Sequence, residues 1–363
     1  MMHSIMIFGV GDVGTRIAEA LLNRGNVREL ILVDLPGKVG EASAEMLSSC
    51  YLVPIIFKGI NALDPAEVEQ VVKRYQPDLI VQTASLRSPF AVMMADHPVA
   101  HALHKAGMAV QFGYQFPLVH SIMQGVRTVA PDTPVANVSY PDLAHSILNS
   151  HGLAPTAGLA NTGIIQMRIE TNLLREKLPN KSDAINVPQV RVIGGHAHVY
   201  GVLFGEKPKN GKDEPWVYLG DSAQRADDIL YSGANLLHCP NLNMLTCAAS
   251  LPVLEALLPN GADCFTSMPG PLGMLGGYPV KISQAKIELD MPENISLSDA
   301  QSMNIDSMRI DGIESVECDG TIHYTEAAQQ AMAEIEPRLT TPYNPITDKD
   351  RTSILLNLVD SIN

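Results

Sequence analysis

Positive charge is scarce in this chain. Its 363 residues carry 25 Lys and Arg against 39 Asp and Glu, a formal net charge of −14. So acidic a surface repels a phosphate backbone, which excludes nucleic acid as a partner. A small anion is not excluded, because one local arginine overrides the general field. Cysteine is also sparse. Cys50, Cys239, Cys247, Cys264 and Cys318 make an odd number with no C-x-x-C pair. That pattern points to thiols in a reducing compartment, with no disulfide framework. No apolar run approaches ~20 residues, and no basic leader precedes the first strand, so no membrane partner is expected and the cytoplasm is the expected location. Histidines do recur at His97, His101 and His104 on one helix face, and at His196 and His198, two apart. Neither set is completed by a cysteine or carboxylate cluster, so no metal site is expected.

What the chain does have is a regular alternation over its first 140 residues. Apolar runs at Ile5–Phe8, Leu30–Val33, Val53–Phe57, Leu79–Gln82, Ala109–Phe112 and Val135–Val138 read as strands. Between them lie helical patterns, the clearest at Asp64–Tyr75. There Asp64 is an N-cap, Pro65 a first-turn residue and Glu67 the partner of a capping box. Alternating strands and helices predict an α/β fold with a doubly wound parallel sheet in residues 1–140. The second half, 141–363, reads as an α+β substrate domain. It has helices at Gly163–Leu178 and Leu242–Leu258, strands at Val190–Ile193, His198–Phe204 and Val280–Leu289, and a surface loop at Gly205–Pro215. Pro337–Asp350 is expected to wrap the surface before a last helix, Thr352–Ile362.

Gly9, Gly11 and Gly14 form G-x-G-x-x-G between the first strand and the first helix. Alone the pattern is weak; in this setting it is a dinucleotide fingerprint of the Rossmann type. The first glycine allows a tight turn, the second admits a pyrophosphate to the backbone, and the third lets helix and strand close together. The helix N-terminus then offers free N–H groups to the phosphates. Asp34 closes the second strand, 20 residues after Gly14. Its carboxylate would accept the ribose hydroxyls and repel a 2′-phosphate, so the expected cofactor is NAD in preference to NADP. Asp12, Val13, Thr83 and Ala84 complete the candidate cofactor contacts.

Glu29–Asp34 with Gly40-Glu-Ala42, Pro131–Asn137 with Pro141-Asp142, His151-Gly-Leu153 with the Gly158 stretch, Val192-Ile-Gly-Gly-His196, Met244–Leu258, and Gly276–Val280 together resemble segments of the malate/lactate dehydrogenase superfamily in its divergent reaches. The resemblance spreads over most of the chain, but only the glycine loop is an unaltered motif. It implies that His196 exchanges the proton, that Arg168 clamps a substrate carboxylate, and that Asn137 sits beside the nicotinamide. Arg87, in Ala84–Pro89, would hold a second carboxylate, and Thr246 would face the substrate. It implies a homodimer or homotetramer. One departure matters. Family members place an aspartate three residues before the clamp arginine, where it orients the histidine, and here that position is Ile165. Asn161 and Gln166 are the neighbouring side chains able to take its place.

Hydride transfer to a carbonyl needs a proton for the oxygen, and a histidine near neutrality suits that step. An arginine suits a carboxylate because the two planar groups form parallel hydrogen bonds. The expected function is therefore an NAD-dependent oxidoreductase acting on a small carboxylate-bearing oxo or hydroxy compound. Four other readings compete. A saccharopine- or opine-type dehydrogenase, which reduces an imine, would share the first domain. A short-chain dehydrogenase or epimerase is suggested by Ala62–Ser85, but that class needs a Y-x-x-x-K pair and no tyrosine here supplies one. NAD-dependent glycosidases need a metal and its ligand set. A non-catalytic NAD sensor would account for Ile165.

Overall fold

The computed structural model describes residues 1–177, 187–208, 213–220, 224–236 and 239–362. Strand β1 (His3–Phe8) is buried along its whole length. A strand apolar on both faces must be covered on both, which is the situation of a central parallel strand. β1 pairs in parallel with β2 (Val27–Asp34) on one side and with β4 (Leu79–Gln82) on the other. β3 (Ile55–Gly59) extends the sheet beyond β2, while β5 (Val135–Asn137) and β6 (Ala157–Gly158) extend it beyond β4. The order β3-β2-β1-β4-β5-β6 reverses between β1 and β4, and ligands of such sheets bind at the carboxyl ends of the strands there.

Helices close both faces. α1 (Asp12–Leu22) and α2 (Lys38–Cys50) share one core with α10 (Asn243–Leu257). α3 (Pro65–Tyr75), α5 (Pro98–Ala106), α6 (Phe112–Val129) and α7 (Pro141–Asn149) build the other. The short α4 (Pro89–Met93) lies beside α5. The end of the chain returns to this second core. α11 (Leu297–Met308) leads to a hairpin of β12 (Ile313–Val316) and β13 (Ile322–Tyr324). Then α12 (Glu326–Ala333) packs on α5, and α13 (Lys349–Asp360) on α6. The core of the parallel sheet is therefore completed by chain from far beyond residue 140. The remaining body holds α8 (Thr162–Lys177), the antiparallel pair β7 (Val190–Ile193) and β8 (Trp216–Leu219), and α9 (His196–Phe204). A three-stranded antiparallel sheet of β9 (Cys264–Pro269), β10 (Gly277–Ser283) and β11 (Lys286–Leu289) completes it.

Four local expectations are corrected. Ala109–Phe112 is a 3₁₀ turn, Met108–Gln111, running into α6, and no strand. Its residues are buried all round, and a short apolar run has the same appearance in a buried helix and in a buried strand. The same ambiguity misled at His198–Phe204, which is the helix α9; His196 and His198 consequently share no strand face. Val280–Leu289 is two strands turned at Gln284 and Ala285, both at positive φ. Asp64 does cap α3 through the Ala66 N–H, but Glu67 accepts from the Asn61 N–H instead of closing a capping box on Asp64. Leu178 and residues 209–212 of the expected surface loop lie outside the described residues.

Candidate active site

A cleft of about 520 Å3 runs from the glycine loop to α9. The loop's geometry follows from its three glycines. Gly9 turns at a φ of 94°, and a Cβ there would lie 2.6 Å from the Ala84 nitrogen. A Cβ on Gly14 would lie 1.9 Å from the Gly9 oxygen, so no larger residue fits at that helix–strand contact. Gly11 has nothing within 4 Å of where a Cβ would stand, and it caps α1 without a side-chain hydrogen bond. The result is open space in front of bare helix N–H groups, the arrangement that receives a pyrophosphate. Thr83 hydroxyl donates to the Phe8 and Gly9 carbonyls and so binds the loop to β4. The Asp34 carboxylate accepts the Val10 and Leu35 N–H groups at 2.6 and 2.7 Å, which fixes it at the end of β2 on the cleft wall. Asp12 and Val13 also line the cleft. Asp12 is tied by Arg16 and by Asn243 of α10; burial works against its charge, but these bonds keep its pKa below the ordinary value. The chain present thus fits a dinucleotide.

At the other end of the cleft stands His196, the first residue of α9. Its Nδ1 lies 2.9 Å from Oδ2 of Asp311, which sits in the turn between α11 and β12. The side chains are 14% and 7% exposed, so the pair is shielded from water. Tyr140 donates its hydroxyl to the same Asp311 oxygen at 2.7 Å and sets its ring edge-on against His196, 4.9 Å between centroids. On the backbone side, the His196 N–H donates to Oδ1 of Asp142 at 3.0 Å, and Asn161 donates its amide to the other oxygen of Asp142. Burial opposes a charge on His196. The charge and hydrogen bond of Asp311, with Asp142 behind it, outweigh that and raise the imidazole above its ordinary pKa. Burial pushes Asp142 up to about 6 against the opposing pull of His196 and Asn161. Tyr140 is raised well above the usual phenol range by burial and by Asp311, so it remains a donor. His198, by contrast, accepts the Gly195 N–H, and burial lowers it to about 4. It is a neutral structural side chain.

The turn that carries Asp311 is fixed by close approach. A Cβ on Gly107, at the end of α5, would lie 2.3 Å from the Asp311 carbonyl oxygen, and the Ala109 N–H donates to that oxygen. Asp311 thus gives His196 the carboxylate partner that Ile165 does not supply, from 115 residues downstream. Asn161 and Gln166 do not replace it. Asn161 acts one step back, through Asp142, and Gln166 accepts the Ser267 N–H and donates to Glu170.

The other sequence-derived candidates divide. Thr83, Ala84, Arg87 and Thr246 line the cleft. Arg87 presents its fork to Asp360 at the end of α13, at 2.8 and 2.9 Å. Asn137 does not reach the cleft; it is fully buried and bonds both ways to the Ser139 backbone. Arg168 does not line it either. Its guanidinium donates to the Ala234 carbonyl. Tyr140, Asp142, Asp311 and Asp360 were missed as site residues. Pro141-Asp142 carried a sequence signal through the family resemblance, while nothing local marked Asp311.

No family model matches the chain, and no curated protein matches it closely. Solved structures do. The malate dehydrogenase of Plasmodium falciparum superposes with a TM-score of 0.54 over 94% of this chain and 100% of that one, at 14% identity. The chain has the malate dehydrogenase fold. The Archaeoglobus fulgidus malate dehydrogenase, solved in complex with NADH, gives 0.53 at 18% identity, covering 85% of this chain and 97% of that one. The apo enzyme of Picrophilus torridus gives 0.54 at 15%, covering 86% and 96%. In this chain the glycine loop and His196 face one cleft, and Asp311 reaches His196 from the C-terminal region.

Proposed function

We propose that the protein is an NAD-dependent dehydrogenase of a small carboxylate-bearing oxo or hydroxy compound. The observation that carries the reading is a histidine–aspartate pair, His196–Asp311, opening into the same cleft as an uncapped G-x-G-x-x-G helix. A nicotinamide, when bound, supplies or takes the hydride. Gly11 and α1 offer N–H groups to its phosphates, and Asp34 offers its carboxylate to a ribose while repelling a 2′-phosphate. With Nδ1 engaged by Asp311, Nε2 is the His196 nitrogen left to exchange a proton with the reacting oxygen. Asp311 holds the ring and stabilises its charged form, and Tyr140 holds Asp311. Arg87 is the candidate anchor for the substrate carboxylate; its exposed pair with Asp360 is of a kind worth only ~0–1 kcal/mol, so exchange is inexpensive. A sensor without chemistry would need no buried partner for His196.

The test is a screen of oxo acids, with and without amino acids, followed by NADH absorbance. Turnover that His196→Asn reduces by ~10²–10⁴-fold, with NADH binding retained, is the expected result. NADH binding with no turnover of any compound would favour the sensor, and turnover only with an amine present would favour the imine-reducing class.

A further inference from the structure

Resting on that reading, we infer that the substrate is a monocarboxylate with an apolar body, and that dicarboxylates such as oxaloacetate are poor ligands. Two independent features of the reacting end point this way. The first is the supply of cations. Among the described residues lining the cleft, Arg87 is the only arginine or lysine, and its fork is already shared with Asp360. Arg168, where the family resemblance implies a carboxylate clamp, is turned to the Ala234 carbonyl. One carboxylate can exchange with Asp360 on Arg87. A second, taken out of water, would find only His196, whose charge is already matched by Asp311 and whose free nitrogen is committed to the reacting oxygen.

The second feature is the wall itself. His196 opens α9, and one helical turn and two turns further the cleft side of α9 presents Val199 and Leu203. Ile164 of α8 joins them, with Leu242 and Leu245 where α10 begins. These five residues belong to one apolar cluster, which opens into the cleft instead of closing over itself. Val199, Leu203 and Ile164 are nearly covered, while Leu242 and Leu245 are half-buried. A branched or aromatic substrate side chain would complete that surface, and each methylene placed there is worth about 10-fold or more in kcat/KM.

The experiment compares 2-oxo-4-methylpentanoate and phenylpyruvate with pyruvate and oxaloacetate, at saturating NADH. In parallel, titration calorimetry of the protein–NADH complex compares two inert acids, isocaproate and succinate. The apolar oxo acids are expected to exceed oxaloacetate in kcat/KM by about 100-fold, and isocaproate to bind more tightly than succinate. Leu245→Arg, a change at a half-buried position, should narrow both gaps. Oxaloacetate equal to or better than the apolar acids overturns the inference and leaves the dehydrogenase reading standing. So does succinate binding as tightly as isocaproate, or neither binding. Discrimination between the inert acids without turnover of any oxo acid supports the inference about the pocket while the proposed chemistry fails. Failure to bind NADH overturns the dehydrogenase reading itself.

Discussion

The two ends of the cleft are built in opposite ways. The cofactor end is local: Gly9, Gly11, Gly14 and Asp34 come from one strand–helix–strand unit, the glycines acting through backbone geometry and Asp34 through a carboxylate held by the Val10 and Leu35 N–H groups. The reacting end is assembled across the chain. Tyr140, Asp142, His196 and Asp311 come from three widely separated segments and meet through side-chain hydrogen bonds. A backbone device such as the glycine turn tolerates no substitute, because a Cβ on Gly14 has nowhere to go. A charge is different. Its effect depends on where it stands and not on which segment delivers it, so Asp311 can stand in for an aspartate that Ile165 does not supply.

If that contrast is correct, changes at the reacting end alter kcat and leave NADH binding alone, while changes at the cofactor end do the reverse. The largest effect is expected from Asp311→Asn. It keeps size and hydrogen bonding but removes the charge that stabilises the imidazolium, so kcat should fall by ~10²–10⁴-fold with the NADH dissociation constant unchanged. A fall in NADH affinity of the same order would show that the two ends are not separate. Next comes Asp34→Ala. It should bring NADPH affinity within about tenfold of NADH affinity, since like-charge repulsion is the discriminating element. Equal affinity of the unaltered protein for both cofactors would contradict the role given to Asp34. The smallest catalytic effect is expected from Arg168→Gln. The guanidinium serves the Ala234 carbonyl, so the cost should be ~1–3 kcal/mol of stability, seen as a lower Tm, with kcat/KM little changed. A large loss of kcat/KM at unchanged Tm would return Arg168 to the substrate.

The same contrast explains what could be read from the sequence. The parallel sheet, its order of elements and the cofactor loop rest on short-range patterns, and those were legible at Ile5–Phe8, Gly9–Gly14 and Asp34. His196 was legible through the glycine pair before it and the family resemblance. Arg87 was legible as a cleft residue, but its partner Asp360 was not. Asp311 left no trace, because Ile310-Asp-Gly312 has the appearance of any turn after a helix. Its value comes from Gly107 and Ala109 holding that turn against α5, contacts that exist only in the folded chain. Arg168 and Asn137 were given roles by alignment with a family pattern, and both are engaged by backbone groups instead. Ala109–Phe112 is buried on every side and His198–Phe204 is a short, largely apolar run, and in neither does the sequence show the periodicity that separates helix from strand.

The central claim is that Asp311 holds and charges His196, and it can be tested without knowing the substrate. His196 has its pKa raised above 6.5, so the stabilisation it gives the fold is complete below pH 6.5 and is lost as pH rises through the raised value. Its imidazole signals, assigned by their loss in His196→Gln, can be followed by NMR against pH. In the unaltered protein the midpoint should lie above 6.5, and in Asp311→Asn it should fall, because the charge that raises it is gone. A midpoint that is the same in both proteins would contradict the account.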